Sequence, residues 1–392
     1  MDNQFPYEDA PYEDPMDTSS SEINNRAIQK VAARFIHQHQ QGKFPGGQLV
    51  ARRHGKVILK LNCGIARGWH SNSSPLLEVQ ASTPFAVYST GKPMAAIVIA
   101  LLESQGILDI HTAVAKVLPE FSGLGRDKIT IEDVLTHRAG IILSDLIHNH
   151  KIWGDNDAVW QHLLKTPPRY PRGTFAYMPA EYGIILDQLV RRLTGESIAT
   201  TFHQQLAVPL GLNNIQFGLG SHQLDELAWA YWLGKPRYMI AGMDVADRFE
   251  EKNNDPAVFS AGNPAFSMSA DAANLAAFYE FLANGGKTRD GTQLIDKQLI
   301  KRYTTRQIAG WNKSVKTHLS LGYGFMLGTA TPSFFGWWGS SHCFGHPGMF
   351  SSVAFADYKT GLSMAIITNG NRSLGDFFFR MVPLIHAMRK AC

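Results

Sequence analysis

Ser89 and Lys92 stand three residues apart in FAVYSTGKPMAA, at the head of a long apolar run. On a helix that spacing puts both side chains on one face, with the amine near the hydroxyl. A serine hydroxyl becomes a nucleophile when a neighbour takes its proton. A lysine can do so when burial or a nearby cation lowers its pKa. Pro93 belongs in a first helical turn, so Ser89 falls near a helix N-terminus, where free amides stabilise an oxyanion. The same four residues also suit a capped helix with a snorkelling lysine.

Two further features concern chemistry. Tyr177 lies in RYPRGTFAYMPAEYG, a loop before an amphipathic pattern, where a phenol could act as a second base or relay a proton. His346-Pro347-Gly348 stands directly before an apolar strand pattern, and a glycine there lets the backbone approach a ligand closely. Taken singly, a core tyrosine and a plain turn explain these equally well.

The elements that would hold these residues follow from periodicity. Ile28, Val31, Ala32, Phe35 and Ile36 have helical spacing up to Gly42. Two strands then meet at Arg53-His54-Gly55-Lys56. A helix should follow the serine as far as about Gln105. The middle holds helical patterns, ITIEDVLTHRAG, YGIILDQLVRRLTG and SADAANLAAFYEFLANGG, each ending in a glycine suited to a C-cap. Strands return in SSVAFADYKTGLSMAIITNG around Tyr358-Lys359-Thr360-Gly361, and a helix from Leu374 to Arg389 closes the chain. The expected fold is α+β: an antiparallel sheet flanked by helices, built from both chain ends, with a mostly helical insertion. The expected boundaries are a flexible acidic tail at 1–22, a sheet domain at 23–88 and 300–392, and a helical domain at 89–299, with the active site at their interface.

At this point the chain resembles the serine β-lactamase and penicillin-binding-protein superfamily, on the branch of class C β-lactamases and family VIII carboxylesterases. The resemblance spans about residues 23–385. It rests on STGK, LTHRAG, Tyr177, SADAANLAAFYEFLANGG, GYGF and HPGM in that order. It implies that Ser89 attacks an ester or amide carbonyl, while Lys92 and Tyr177 share base and acid duties. The amides of Ser89 and Met349 would hold the oxyanion, with His346 and Gly348 beside them. An ammonium near Tyr177 should lower the phenol's pKa and couple the two titrations. Two departures matter. Pro179 stands where many relatives carry asparagine, and His346 replaces the usual lysine, a histidine often being uncharged at neutral pH. Both favour an ester or thioester substrate over a β-lactam. Carboxylester hydrolysis comes first, then acyl transfer to a hydroxyl or amine, then D-amino-acid peptide cleavage or cyclisation, and last an inactive binding homologue. Trp153, Trp337 and Trp338 could line an acyl pocket.

Composition narrows the rest. Of 392 residues, 44% are hydrophobic and 18% charged, and no run reaches the ~20 apolar residues of a membrane helix. Residues 1–22 carry seven acids and no base, which leaves 37 basic and 26 acidic residues beyond them. The bases are scattered, so a solvated surface is expected and nucleic acid is not. Cys63, Cys343 and Cys392 suit a reducing compartment, and the first residues lack a basic-then-apolar leader, so a cytoplasmic location is expected. His342, Cys343 and His346 cluster without a recognised metal spacing, HNH at 148–150 has no carboxylate company, and no dinucleotide or Walker loop is complete. No cofactor or metal is expected.

Overall fold

The computed structural model describes residues 23–70, 75–143, 150–240 and 243–392. The acidic tail and most of HNH fall outside them. The first helix, α1 (Asn25–Gln40), is capped by the Asn24 side chain, which accepts from the Ala27 amide at 3.0 Å. The hairpin follows as β1 (Gly46–Arg53) and β2 (Lys56–Arg67). His54 and Gly55 both take positive φ between them, as a two-residue turn of this hand requires. A short β3 (Leu77–Glu78) pairs with β2.

Three long helices from the middle of the chain bear on the site: α2 (Lys92–Ser104), α3 (Glu181–Thr194) and α4 (Ala272–Ala283). The C-terminal part supplies β4 (Ile308–Asn312), β5 (Thr317–Leu321), β6 (Met326–Leu327), β7 (Cys343–Gly348), β8 (Ser352–Asp357) and β9 (Leu362–Thr368), then α5 (Leu374–Ala391). The nine strands form one sheet in the order β4-β5-β6-β7-β8-β9-β1-β2-β3. Its pairs are antiparallel, and β1 and β9 join the two ends of the chain from Gly47↔Thr368 to Arg53↔Leu362.

β1 is buried along its whole length because both faces of the sheet are covered. Leu49 and Ala51 pack with Val31 and Phe35 of α1 and Met381 and Ile385 of α5. Val50 points the other way, into the core shared with α2 and α4. Gln48 and Arg52 share that second face and tie α4 down at both ends. Gln48 Oε1 accepts from the Ala272 amide at 2.9 Å, and Arg52 Nε donates to Glu280 at 2.9 Å.

Two features of the middle of the chain differ from expectation. The helix in ITIEDVLTHRAG spans only Ile131–Leu135 and stops at Thr136, so Gly140 is no cap. Gly140 instead lies against Tyr170, whose carbonyl oxygen would be 2.1 Å from a Cβ. By contrast Gly195 takes the left-handed cap expected of it. A small three-stranded sheet of Phe85–Ala86, Met268–Ala270 and Ile215–Phe217 escaped the pattern reading, because pieces of two or three residues carry no period. No described helix is long and apolar enough to cross a membrane.

Candidate active site

α2 begins at Lys92, with Pro93 in its first turn, and Ser89 sits just before it in a single 3₁₀ turn, Tyr88–Gly91. Tyr88 takes φ +50°, which bends the chain out of the preceding strand. Gly91 has no room for a side chain, since a Cβ would lie 2.8 Å from that of Met268. Every residue from Lys92 to Leu102 is buried, so the lysine stem descends into protein on all sides.

The amine of Lys92 meets three oxygens there: Ser89 Oγ at 3.1 Å, the Pro179 carbonyl at 2.8 Å and the Ala265 carbonyl at 2.9 Å. None belongs to a carboxylate. Burial therefore dominates and pulls the Lys92 pKa down to about 7, while Glu181 opposes the shift. Glu181 is itself buried at the head of α3, accepting from the amides of Leu143 at 2.6 Å and Ala180 at 3.2 Å. Burial raises its pKa too.

Tyr177 is pinned from both sides of its backbone. Its amide donates to Asn312 Oδ1 at 3.0 Å, and Ser314 Oγ donates to its carbonyl at 2.9 Å. The next amide, that of Met178, donates to His137 Nδ1 at 3.0 Å. The His137 ring lies 4.4 Å from that of Tyr177 and 5.2 Å from that of Tyr182. Lys92 Nζ stands 5.0 Å from the Tyr177 ring centre, and the phenol shares a hydrogen bond with Ser89.

That hydrogen bond favours the phenolate, but burial outweighs it and raises the Tyr177 pKa well above its usual value, with Glu181 adding to the rise. The expected depression by an ammonium does not occur. Lys92 loses its proton near pH 7 and is neutral long before a phenol would ionise.

The third motif ends strand β7 and stands directly before the apolar strand β8, as expected. β6 pairs only with Phe344 and Gly345, so Pro347 sits where β7 lacks a partner on that side and its missing N–H costs nothing. Gly348 meets the serine turn so closely that a Cβ would lie 2.1 Å from the Val87 carbonyl and 2.8 Å from Thr90 Oγ1. Ser352 fastens the contact, donating to the Val87 carbonyl at 2.9 Å and lying 3.0 Å from Thr90 Oγ1. Met349 follows Gly348 and is partly exposed. His346 Nδ1 is 2.6 Å from the Pro347 carbonyl, which only an N–H can satisfy, so Nε2 carries the free lone pair. Burial first and Lys92 second pull the His346 pKa down to about 3. The ring is neutral and 6.1 Å from that of Tyr177. Cys343 packs on the opposite face of the strand, away from His346.

Ser89, Lys92, Tyr177, His346 and Gly348 thus converge, although up to 259 positions separate them. Of the three tryptophans, Trp153 stacks edge-on against Phe266, beside the Ala265 carbonyl that holds Lys92. Trp337 packs against the core cluster that also holds Tyr177, and Trp338 is exposed, its carbonyl accepting from Arg389 of α5. The sequence reading missed His137, Glu181, Asn312 and Ser314. His137 stands inside LTHRAG, and Glu181, in the first turn of α3, carries no sequence signature that sets it apart from other first-turn acids.

Residues 31–380 match the beta-lactamase family. The chain belongs to that family. Among curated relatives of this beta-lactamase-family protein is the esterase/beta-lactamase LipL of Mycobacterium tuberculosis, 25% identical over 86% of this chain and 80% of its own. A penicillin-binding-protein homologue from Caulobacter crescentus superposes with a TM-score of 0.78 at 29% identity, over 96% of this chain and 99% of that one. A family VIII carboxylesterase gives 0.78 at 25% identity, over 93% and 98%. The α+β fold with its large antiparallel sheet is the fold of these neighbours.

Proposed function

We propose that the protein is a serine hydrolase that forms an acyl-enzyme on Ser89, acting as a carboxylesterase on small or medium acyl esters. The observation that carries this is the Lys92 amine, held by two backbone carbonyls with its third contact on Ser89 Oγ. A neutral amine donates its two N–H groups to those carbonyls and turns its lone pair to the serine hydroxyl.

In this mechanism Ser89 Oγ bonds to the ester carbonyl carbon and its proton passes to Lys92. The developing oxyanion takes hydrogen bonds from the amides of Ser89 and Met349. The C–O bond to the leaving alkoxide breaks as Tyr177 gives it a proton, and Lys92 restores the tyrosine. Water then attacks the acyl carbon as Lys92 accepts its proton. When the second tetrahedral adduct collapses, the carbon–Oγ bond breaks and Lys92 returns that proton to Ser89 Oγ, releasing the acid. His346 and Gly348 would form the wall beside the oxyanion.

Two features support esters over β-lactams. Pro179 offers no side-chain amide to a substrate amide, and its carbonyl is occupied by Lys92. His346 is neutral and brings no cation to a substrate carboxylate. The test is a panel of p-nitrophenyl esters of graded chain length, nitrocefin and a D-Ala-D-Ala peptide. Ester turnover should dominate, and nitrocefin turnover exceeding it would overturn the reading.

A further inference from the structure

Behind the serine turn lies a second cluster of polar side chains that the mechanism does not use. Tyr88, Ser351 and Asn371 are each at least nine-tenths buried, and all three line one small cavity of about 10 Å³. The Tyr88 hydroxyl, the Ser351 hydroxyl and both polar atoms of the Asn371 carboxamide have no hydrogen-bond partner among the described residues. One such orphan costs about 1–3 kcal/mol, so three side chains in one place need a common partner. A single water needs roughly that much room and two to four polar contacts.

The cluster joins three segments of the site. Tyr88 immediately precedes the nucleophile and holds the positive-φ bend. Ser351 closes the turn after Gly348 and Met349, its amide donating to the Gly348 carbonyl at 3.0 Å. It is anchored to the end of β9 by the Thr368 amide at 2.7 Å. Asn371 follows that strand, and its backbone carbonyl accepts from the Leu233 amide at 2.7 Å. Of the rest of the cavity wall, Phe85, Ala86, Ala228 and Ala230 are apolar. The side chains of Thr368 and Asn369 are already bonded, Thr368 Oγ1 donating to the Ser351 carbonyl and the Asn369 carboxamide bridging Gly46 and Ile65.

We propose that this cavity binds one integral water, shared by the Tyr88 and Ser351 hydroxyls and the Asn371 carboxamide, which fixes the serine turn against the turn carrying Met349. Tyr88, Ser351 and Asn371 are then positioning residues for the two amides of the oxyanion site. The catalytic half of this inference rests on the function proposed above, and the water site itself does not.

The experiment has two readouts. A crystal structure of the full chain at about 1.8 Å should show one well-ordered solvent peak within hydrogen-bonding distance, about 2.7–3.2 Å, of all three side chains. A dry cavity, or hydroxyls turned to other partners, would overturn the site. In p-nitrophenyl acetate hydrolysis, Tyr88→Phe and Ser351→Ala should each lower kcat about 3–10-fold with KM within about twofold, less than the ~10² of a full ångström of misplacement. Because both act through one water, the double variant should lose no more than the worse single. Losses that multiply, or that fall on KM alone, would refute the positioning role. A wild type that hydrolyses no ester would count against the proposed function, while the solvent peak would still decide the water site.

Discussion

The fold buries two cations in two different ways. Arg52, in the middle of the sheet, lies beside the carboxylate of Glu280 on α4 at 2.9 Å, and both are almost fully buried. Lys92, at the head of α2, is buried more completely and touches only a hydroxyl and two carbonyls. A buried charge with a paired, hydrogen-bonded counter-charge stays charged and serves the structure. A buried amine given only neutral acceptors has its proton loosened. The difference separates a tether from a base, and it comes down to whether a carboxylate stands within reach.

The largest effects should fall on the base side of that contrast. Ser89→Ala is expected to cost ~10⁴-fold or more in ester turnover, as loss of a nucleophile does elsewhere. Lys92→Met should cost at least ~10²-fold in kcat/KM. Because it removes a buried amine that has no carboxylate partner, it should also raise stability, on the order of 1–3 kcal/mol in a denaturant titration. A Lys92→Met variant that is both active and less stable would erase the distinction drawn here.

Arg52 should behave in the opposite sense. Arg52→Met leaves Glu280 buried without its partner and should destabilise by about 3–5 kcal/mol, while kcat of the folded fraction stays within about twofold. Adding Glu280→Leu should recover most of that loss, since an apolar pair of similar size is tolerated where a lone charge is not. Failure of the second substitution to recover stability would mean that Arg52 does more than neutralise Glu280.

A smaller effect is read against pH. Below about pH 7 the Lys92 amine is protonated in the folded protein, and there kcat/KM should fall about tenfold per pH unit. The Lys92 pKa is depressed in the fold, so between about 7 and 10.5 the unfolded chain holds a proton that the folded one has lost. Stability should therefore rise with pH across that window relative to Lys92→Met, whose curve lacks this contribution.

The same contrast explains what the sequence could reveal. Ser89 and Lys92 are local partners, and helical spacing alone brought them together. The hairpin at His54-Gly55, the turn before Leu362 and the helix from Leu374 were equally legible, because alternation and turn residues are local signals. Tyr177 and His346 needed the resemblance. The carbonyls of Pro179 and Ala265, which set the state of Lys92, lie 87 and 173 positions away from it in the chain. Backbone carbonyls carry no residue signature, so nothing in the sequence marked those two. Asn312 and His137 were hidden similarly, their work being to hold the backbone around Tyr177. Tyr177 is not depressed, because a lysine nearby acts on a phenol only through its charge, and burial weakens that charge at Lys92 while raising the phenol directly.

The central claim is that Lys92, neutral above about pH 7, makes Ser89 a nucleophile. Its most direct test is the rate at which a fluorophosphonate labels the protein, followed by intact mass across pH. A single adduct on Ser89 is expected, with a rate that climbs with a midpoint near pH 7 and a flat profile at least ~10²-fold slower in Lys92→Met. A midpoint near 10, an unchanged rate in Lys92→Met, or no adduct on Ser89 in folded protein would contradict it.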